Sequence, residues 1–205
     1  GIAPTNSGTS AANRITYRCS SFTPYPTLTS NCLIKTTGAN TVDLRDRSYI
    51  TVEGFSFEDG VVYPWGSSSS LPPYSVGNLI RNIITRENTN AGGVAQFITV
   101  GGTDNTLENF DFYIPQLAGG SSPNVINVGA NYIGDGQQEL RTTFKNGWVR
   151  GGQNAIDLGR CKDCVFDGVK AFGNRNHANT LGVNTLATLD VNNFTIKNSF
   201  FLGGG

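Results

Sequence analysis

Leu107-Glu108-Asn109-Phe110-Asp111-Phe112 is one copy of a phrase that occurs six times in the chain. The others are Val52-Glu53-Gly54-Phe55-Ser56-Phe57, Ile80-Arg81-Asn82-Ile83-Ile84-Thr85, Phe144-Lys145-Asn146-Gly147-Trp148-Val149, Phe166-Asp167-Gly168-Val169-Lys170-Ala171 and Ile196-Lys197-Asn198-Ser199-Phe200-Phe201, at intervals of 22 to 37 residues. A constant strand phrase at this period marks a solenoid. The first column of the phrase is wholly apolar and points into a core. The third column holds only Gly or Asn, the two residues that best tolerate left-handed backbone, so a sharp bend is expected there in every copy. The fourth and sixth columns return mostly to apolar residues, with Gly147, Ser199 and Thr85 as exceptions.

The second column sets the register. It reads Glu53, Arg81, Glu108, Lys145, Asp167, Lys197: six charges of alternating sign. Parallel strands lie about 4.8 Å apart, so like charges in adjacent copies would repel and opposite ones pair. The alternation therefore predicts that each copy stacks directly on the next, with the charges forming an exposed ladder rather than a catalytic row.

Working outward, Gln96–Val100, Asn124–Val128, Ala155–Leu158 and Leu181–Asn184 read as strands of a second sheet, and Trp65–Ser75 and Leu117–Pro123 as surface loops. No helical periodicity persists anywhere. The expected fold is all-β, a right-handed parallel β-helix of about six to seven coils forming a single domain over residues 1–205. The composition agrees: 26 Gly among 205 residues, 15 basic and 15 acidic side chains, one His and no Met. Zero net charge argues against a nucleic-acid partner, and the apolar runs are too short for membrane insertion. The uncapped run Phe200-Phe201-Leu202 near the chain end suggests a piece of a longer protein, or a subunit stacked against another.

The segment from Ser7 to Arg18, SGTSAANRITYR, together with Arg47-Ser48-Tyr49-Ile50-Thr51-Val52-Glu53-Gly54-Phe55, resembles the first coils of pectin-lyase-like β-helix proteins. The resemblance is nearest to the polysaccharide lyase family of alginate lyases and chondroitinase B. It implies a polysaccharide partner and a Lys and an Arg at the site, often with calcium held by Asn and a Glu-x-Glu pair. This chain has no Glu-x-Glu, nor the Asp pairs of pectin-hydrolysing β-helices.

Candidate chemistry follows from the presumed second sheet. Gln96, Thr99, Asn127 and Asn184, with Asp157, are read as its outward polar strip and as substrate-binding candidates. Arg160, Lys162 or His177 would supply a base, and Asp157 an orienter or cation ligand. The catalytic candidates are thus Asp157, Arg160 and His177. Tyr63, Trp65, Tyr113, Tyr132 and Trp148 are aromatics for sugar stacking. Calcium is the one cofactor in view, on the strength of the resemblance alone.

Cys19 and Cys32 bracket an inserted Ser/Thr/Pro loop and are read as a disulfide. Cys161-Lys162-Asp163-Cys164 is a local disulfide or two free thiols, because zinc would need two further ligands and there is one His. Cysteine usage suits an oxidising, extracellular or surface location. Asn193-Phe194-Thr195 is a glycosylation sequon that reads as strand-embedded. Two functions remain open: a secreted or surface β-helix engaging polysaccharide, with lyase or hydrolase activity, or a non-catalytic structural or adhesive module such as a tailspike-like shaft, fibre or filament subunit. The second predicts homo-oligomeric or end-to-end assembly.

Overall fold

A computed structural model describes residues 1–36, 40–66, 74–86, 97–99, 101–115, 124–129, 139–152, 154–173, 179–183 and 193–202. All regular structure in them is β, and nearly all of it parallel. The largest sheet runs Ile15–Arg18, Ile50–Glu53, Leu79–Arg86, Thr106–Ile114, Thr143–Gly151, Val165–Phe172 and Thr195–Lys197, each strand parallel to the next. Leu33–Lys35, Ser56–Glu58 and Phe200–Leu202 extend the same sheet. A second parallel sheet contains Asn40–Asp43, Val61–Tyr63, Phe97–Ile98, Ile126–Val128, Asn154–Leu158 and Asn179–Val183. Gly102–Thr103, Glu139–Leu140 and Cys161–Lys162 form a third. The exception is a small antiparallel pair, Phe22–Thr23 with Thr29–Ser30.

The six phrases stack in the register that their charges predict. Glu53 lies beside Arg81, Arg81 beside Glu108, Glu108 beside Lys145, Lys145 beside Asp167 and Asp167 beside Lys197, and Arg18 extends the column past Glu53. Ion pairs link Glu53 to Arg18 at 3.5 Å and to Arg81 at 3.2 Å, Arg81 to Glu108 at 3.8 Å, and Asp167 to Lys197 at 3.3 Å. The expected exposed ladder holds for the outer pairs, which contribute little stability individually, whereas Glu53 is buried between Arg18 and Arg81. Their effect is on register, since a slip of one residue would bring like charges or core residues to this face.

Every third-column residue has the left-handed backbone that its type permits, with φ from 51° at Asn198 to 80° at Gly54. One pair of neighbouring copies is linked through its Asn side chains: Asn146 Nδ2 donates to Asn109 Oδ1 at 3.4 Å. Where the neighbour is Gly, the acid one residue earlier accepts instead, as Glu53 does from Asn82 and Asp167 from Asn198. The Gly147 exception in the fourth column has a packing cause. A Cβ there would stand 2.1 Å from Cζ of Phe110, whose ring fills the space.

A second bend recurs before the large-sheet strands from Ile50–Glu53 onward, first at Tyr49 and Gly77 with φ of 55° and 64°, and no single residue type marks it. Asp104, Arg141, Asp163 and Asn193 occupy it with φ of 55°, 52°, 56° and 54°. The backbone next to it is satisfied from inside by Asn side chains. Asn78 Oδ1 accepts from the Ile50 amide at 2.9 Å, and Asn105 Oδ1 from the Asn78 amide at 2.8 Å. The core between the sheets is aromatic, with Phe144 and Phe166 stacked at 4.8 Å and Trp65 edge-on to Phe97 at 5.7 Å. Trp65 therefore opens no surface loop and offers no sugar platform: it is wholly buried. Residues 67–73 and 116–123, most of the two expected loops, lie outside the described residues.

Candidate functional site

The expected polar strip does not form an open surface at the positions described. Thr99 is fully buried; its Oγ1 accepts from the Gly129 amide at 2.9 Å. Asp157 is buried as well and accepts from Asn124 Nδ2 at 2.9 Å, and Arg160 is buried beside it in sequence. Asn127 is half-buried in the strand between those of Ile98 and Asp157. The physical reason is that Phe97–Thr99 and Ala155–Leu158 are covered on both faces, so strand alternation gives these residues no solvent side. Gln96, His177, Asn184 and Tyr132 lie outside the described residues.

Thr99 instead faces a group that sequence reading passed over. Glu139 is fully buried; both of its carboxylate oxygens lie 3.1 Å from the Trp65 indole Nε1, and Oε2 accepts from Thr142 Oγ1 at 2.9 Å. Burial pushes its pKa up to about 7, against the pull of hydrogen bonds from Thr99, Thr142, Trp65 and the Gly101 amide. The environment is core on every described side, which makes Glu139 a structural acid that ties the third sheet to Trp65.

The accessible site lies past the Asn/Gly bend of the large sheet. There the outward rows read Ile84, Asp111, Trp148, Lys170, Phe200 and Arg86, Tyr113, Arg150, Phe172, Leu202 across successive strands. Trp148 and Phe172 are stacked at 5.5 Å with planes 10° apart, and Lys170 Nζ sits 4.7 Å over the Trp148 ring. Arg150 lies 5.6 Å over the Tyr113 ring and bonds Asp111 Oδ1 at 2.6 Å. Arg86 takes the other oxygen, Oδ2, at 2.7 Å. Both oxygens of Asp111 are thus held by guanidinium groups, two arginines on one carboxylate.

A separate loop walls this face. Tyr25-Pro26-Thr27-Leu28-Thr29 stands opposite Asp111, Trp148 and Arg150, and together they line a cleft of about 530 Å³. The loop is fixed at its base by the Cys19–Cys32 disulfide and by the Phe22–Thr23/Thr29–Ser30 pair. It docks on the bend itself: Ser30 Oγ donates to the Gly54 carbonyl at 2.6 Å, and the Cys19 amide to the Glu53 carbonyl at 2.9 Å. Gly54 is needed there, because a Cβ would meet the Phe22 ring at 2.4 Å. Of the sugar-stacking candidates, the structure places Trp148 in this cleft and Tyr113 at its margin, where it is 38% exposed. Tyr63 lies apart, under Arg45 at 4.3 Å. Tyr25 and Arg150 were not readable as site residues, since nothing in sequence joins positions so far apart.

The second cysteine pair also forms a disulfide, Cys161–Cys164, with both residues buried. Two disulfides accord with an oxidising environment. Among the described residues no helix is long and apolar enough to cross a membrane. Nor do three or more His, Cys, Asp or Glu gather there as a metal site, so the residues described do not fit the calcium that the resemblance implies. No protein-family profile matches the chain, and neither a curated protein nor a solved structure matches it.

Proposed function

We propose that this chain is a right-handed parallel β-helix of about seven coils that acts outside the cell or at a surface and binds acidic polysaccharide in the cleft between the 19–32 loop and the large sheet. The seven consecutive ranks of parallel strands and the two recurring bends support the fold reading. One observation carries the functional reading. An aromatic platform, Trp148 on Phe172, lies in line along the stack with Arg150 and Lys170, against a fixed wall containing Tyr25. Aromatic faces pack on the apolar faces of sugar rings, and guanidinium groups pair with carboxylate or sulfate through paired hydrogen bonds. Asp111, the acid of the cleft lining, is neutralised by two arginines, which favours an anionic polymer over a cationic one.

The second reading, an adhesive or structural module without turnover, is favoured by the state of Asp111. It is the one carboxylate among the cleft-lining residues, and both its oxygens are occupied by Arg86 and Arg150. A carboxylate so held is poorly placed to accept a substrate proton. Incubation with alginate, chondroitin sulfate and pectate separates these readings. Ultraviolet absorbance of an unsaturated product means a lyase, and new reducing ends without it a hydrolase. Saturable binding with neither product means a module, and absence of binding to the whole panel defeats the acidic-polysaccharide reading.

A further inference from the structure

Asn193-Phe194-Thr195 is the one place in the chain where an Asn is followed two residues later by Ser or Thr. The sequence reads it as buried within a strand, which would leave no room for a modification. The structure places it otherwise. Asn193 stands outside the strand Thr195–Lys197, at the second recurring bend, with φ of 54° and an exposed side chain. The intervening Phe194 turns inward and packs against the core, so the two polar residues of the motif face out while the apolar one anchors it.

Exposure at this position belongs to the bend. The pairing of Thr195 with Val165 puts Asn193 in one column with Asp163, Arg141 and Asp104. All three are exposed although strands flank them on both sides; the side chains of Arg141 and Asp104 are 55% and 51% accessible. At these three positions, nearest Asn193 in the stack, the side chain is open to solvent, whereas Tyr49 and Gly77, earlier in the same column, are half-buried and buried. The bend precedes the large-sheet strand, whereas the cleft lies past the other bend, beyond Asn109 and Asn146.

We propose that Asn193 is an N-glycosylation acceptor. In the transfer, an oligosaccharide leaves a lipid-linked diphosphate donor: the bond from sugar C1 to the diphosphate oxygen breaks, and C1 bonds to Asn193 Nδ2. The amide nitrogen loses a proton and the lipid diphosphate departs. The Thr195 hydroxyl is the second recognition element of the acceptor. The two disulfides place the chain in the kind of oxidising compartment where this chemistry occurs. The attached glycan stands clear of the polysaccharide cleft.

The test directs the full chain into a eukaryotic secretory pathway and reads the 193 peptide by mass spectrometry, on retained and secreted protein together. The expected result is a glycan on Asn193 that an N-glycan amidase removes, leaving an aspartate in its place. The glycan is lost in Thr195→Ala and kept in Thr195→Ser, which avoids altering the bend itself. Retention of near-ultraviolet circular dichroism and of polysaccharide binding in the glycosylated protein would support its placement away from core and cleft. A wholly unmodified 193 peptide overturns the proposal. So does a glycan whose presence unfolds the chain.

Discussion

The large sheet is divided by its Asn/Gly bend into two surfaces that share every strand and differ in character. Before the bend, acids and bases alternate along the stack from Arg18 to Lys197 and compensate one another. After it, Arg86 and Arg150 share the carboxylate of Asp111, Glu58 lies beside Arg86, and aromatic rings stand among them, with Lys170 over Trp148. The same backbone thus carries a surface of alternating, mutually paired charges and a surface where charged groups are interleaved with aromatic rings.

The bend that separates the two surfaces is the most sensitive point. Gly147→Ala is expected to cost about 3 kcal/mol, at the upper end for overpacking, because Phe110 fills the space that a Cβ needs. A denaturant melt measures it, and a loss under about 1 kcal/mol would mean that the Phe110 ring is free to move. Behind both surfaces, Glu139 links stability to pH. Its carboxyl is raised in the folded chain to about 7 from an ordinary 4.5, so the folded state holds a proton that the unfolded state has released between those values. Its stabilising contribution is complete below about pH 4.5 and is lost as pH rises through about 7, a swing on the order of 3 kcal/mol. Melts from pH 4.5 to 8 should show this fall, and Glu139→Gln should flatten it.

Past the bend, Trp148→Ala should weaken polysaccharide binding tenfold or more, about 1.4 kcal/mol, with a melting temperature close to that of the parent. Calorimetric titration reads the first and a thermal scan the second. Before the bend, Glu108→Lys places a third cation between Arg81 and Lys145. The expected cost is about 1 kcal/mol at low salt and less at high salt. Neutral or stabilising behaviour at low salt would break the ladder account.

Much of the fold was legible because its determinants are local and repeat. The six Gly/Asn positions named the first bend, and the alternating charges fixed which residues are neighbours across 22 to 37 residues of intervening chain. The second bend was not legible, because Tyr49, Gly77, Asp104, Arg141, Asp163 and Asn193 share a backbone conformation but no one residue type. The polar strip expected on the second sheet is not open to solvent at Thr99 and Asp157. Thr99 and Asp157 look outward by strand alternation, yet their segments are covered on both faces. Trp148 was a candidate by type alone, whereas the cleft that gives it a role requires Tyr25 and Thr29 from a loop more than a hundred residues earlier. Alternation reports faces, and only the tertiary structure reports which faces water reaches.

The division at the bend is tested most directly by titrating the acidic polysaccharides into three proteins by calorimetry: the parent chain, Trp148→Ala and Lys145→Ala. The account predicts that the parent binds, that Trp148→Ala loses tenfold or more, and that Lys145→Ala, one strand position before the bend, binds as the parent does. Equal loss in both variants, full binding by Trp148→Ala, or no binding by the parent to the whole panel would contradict it.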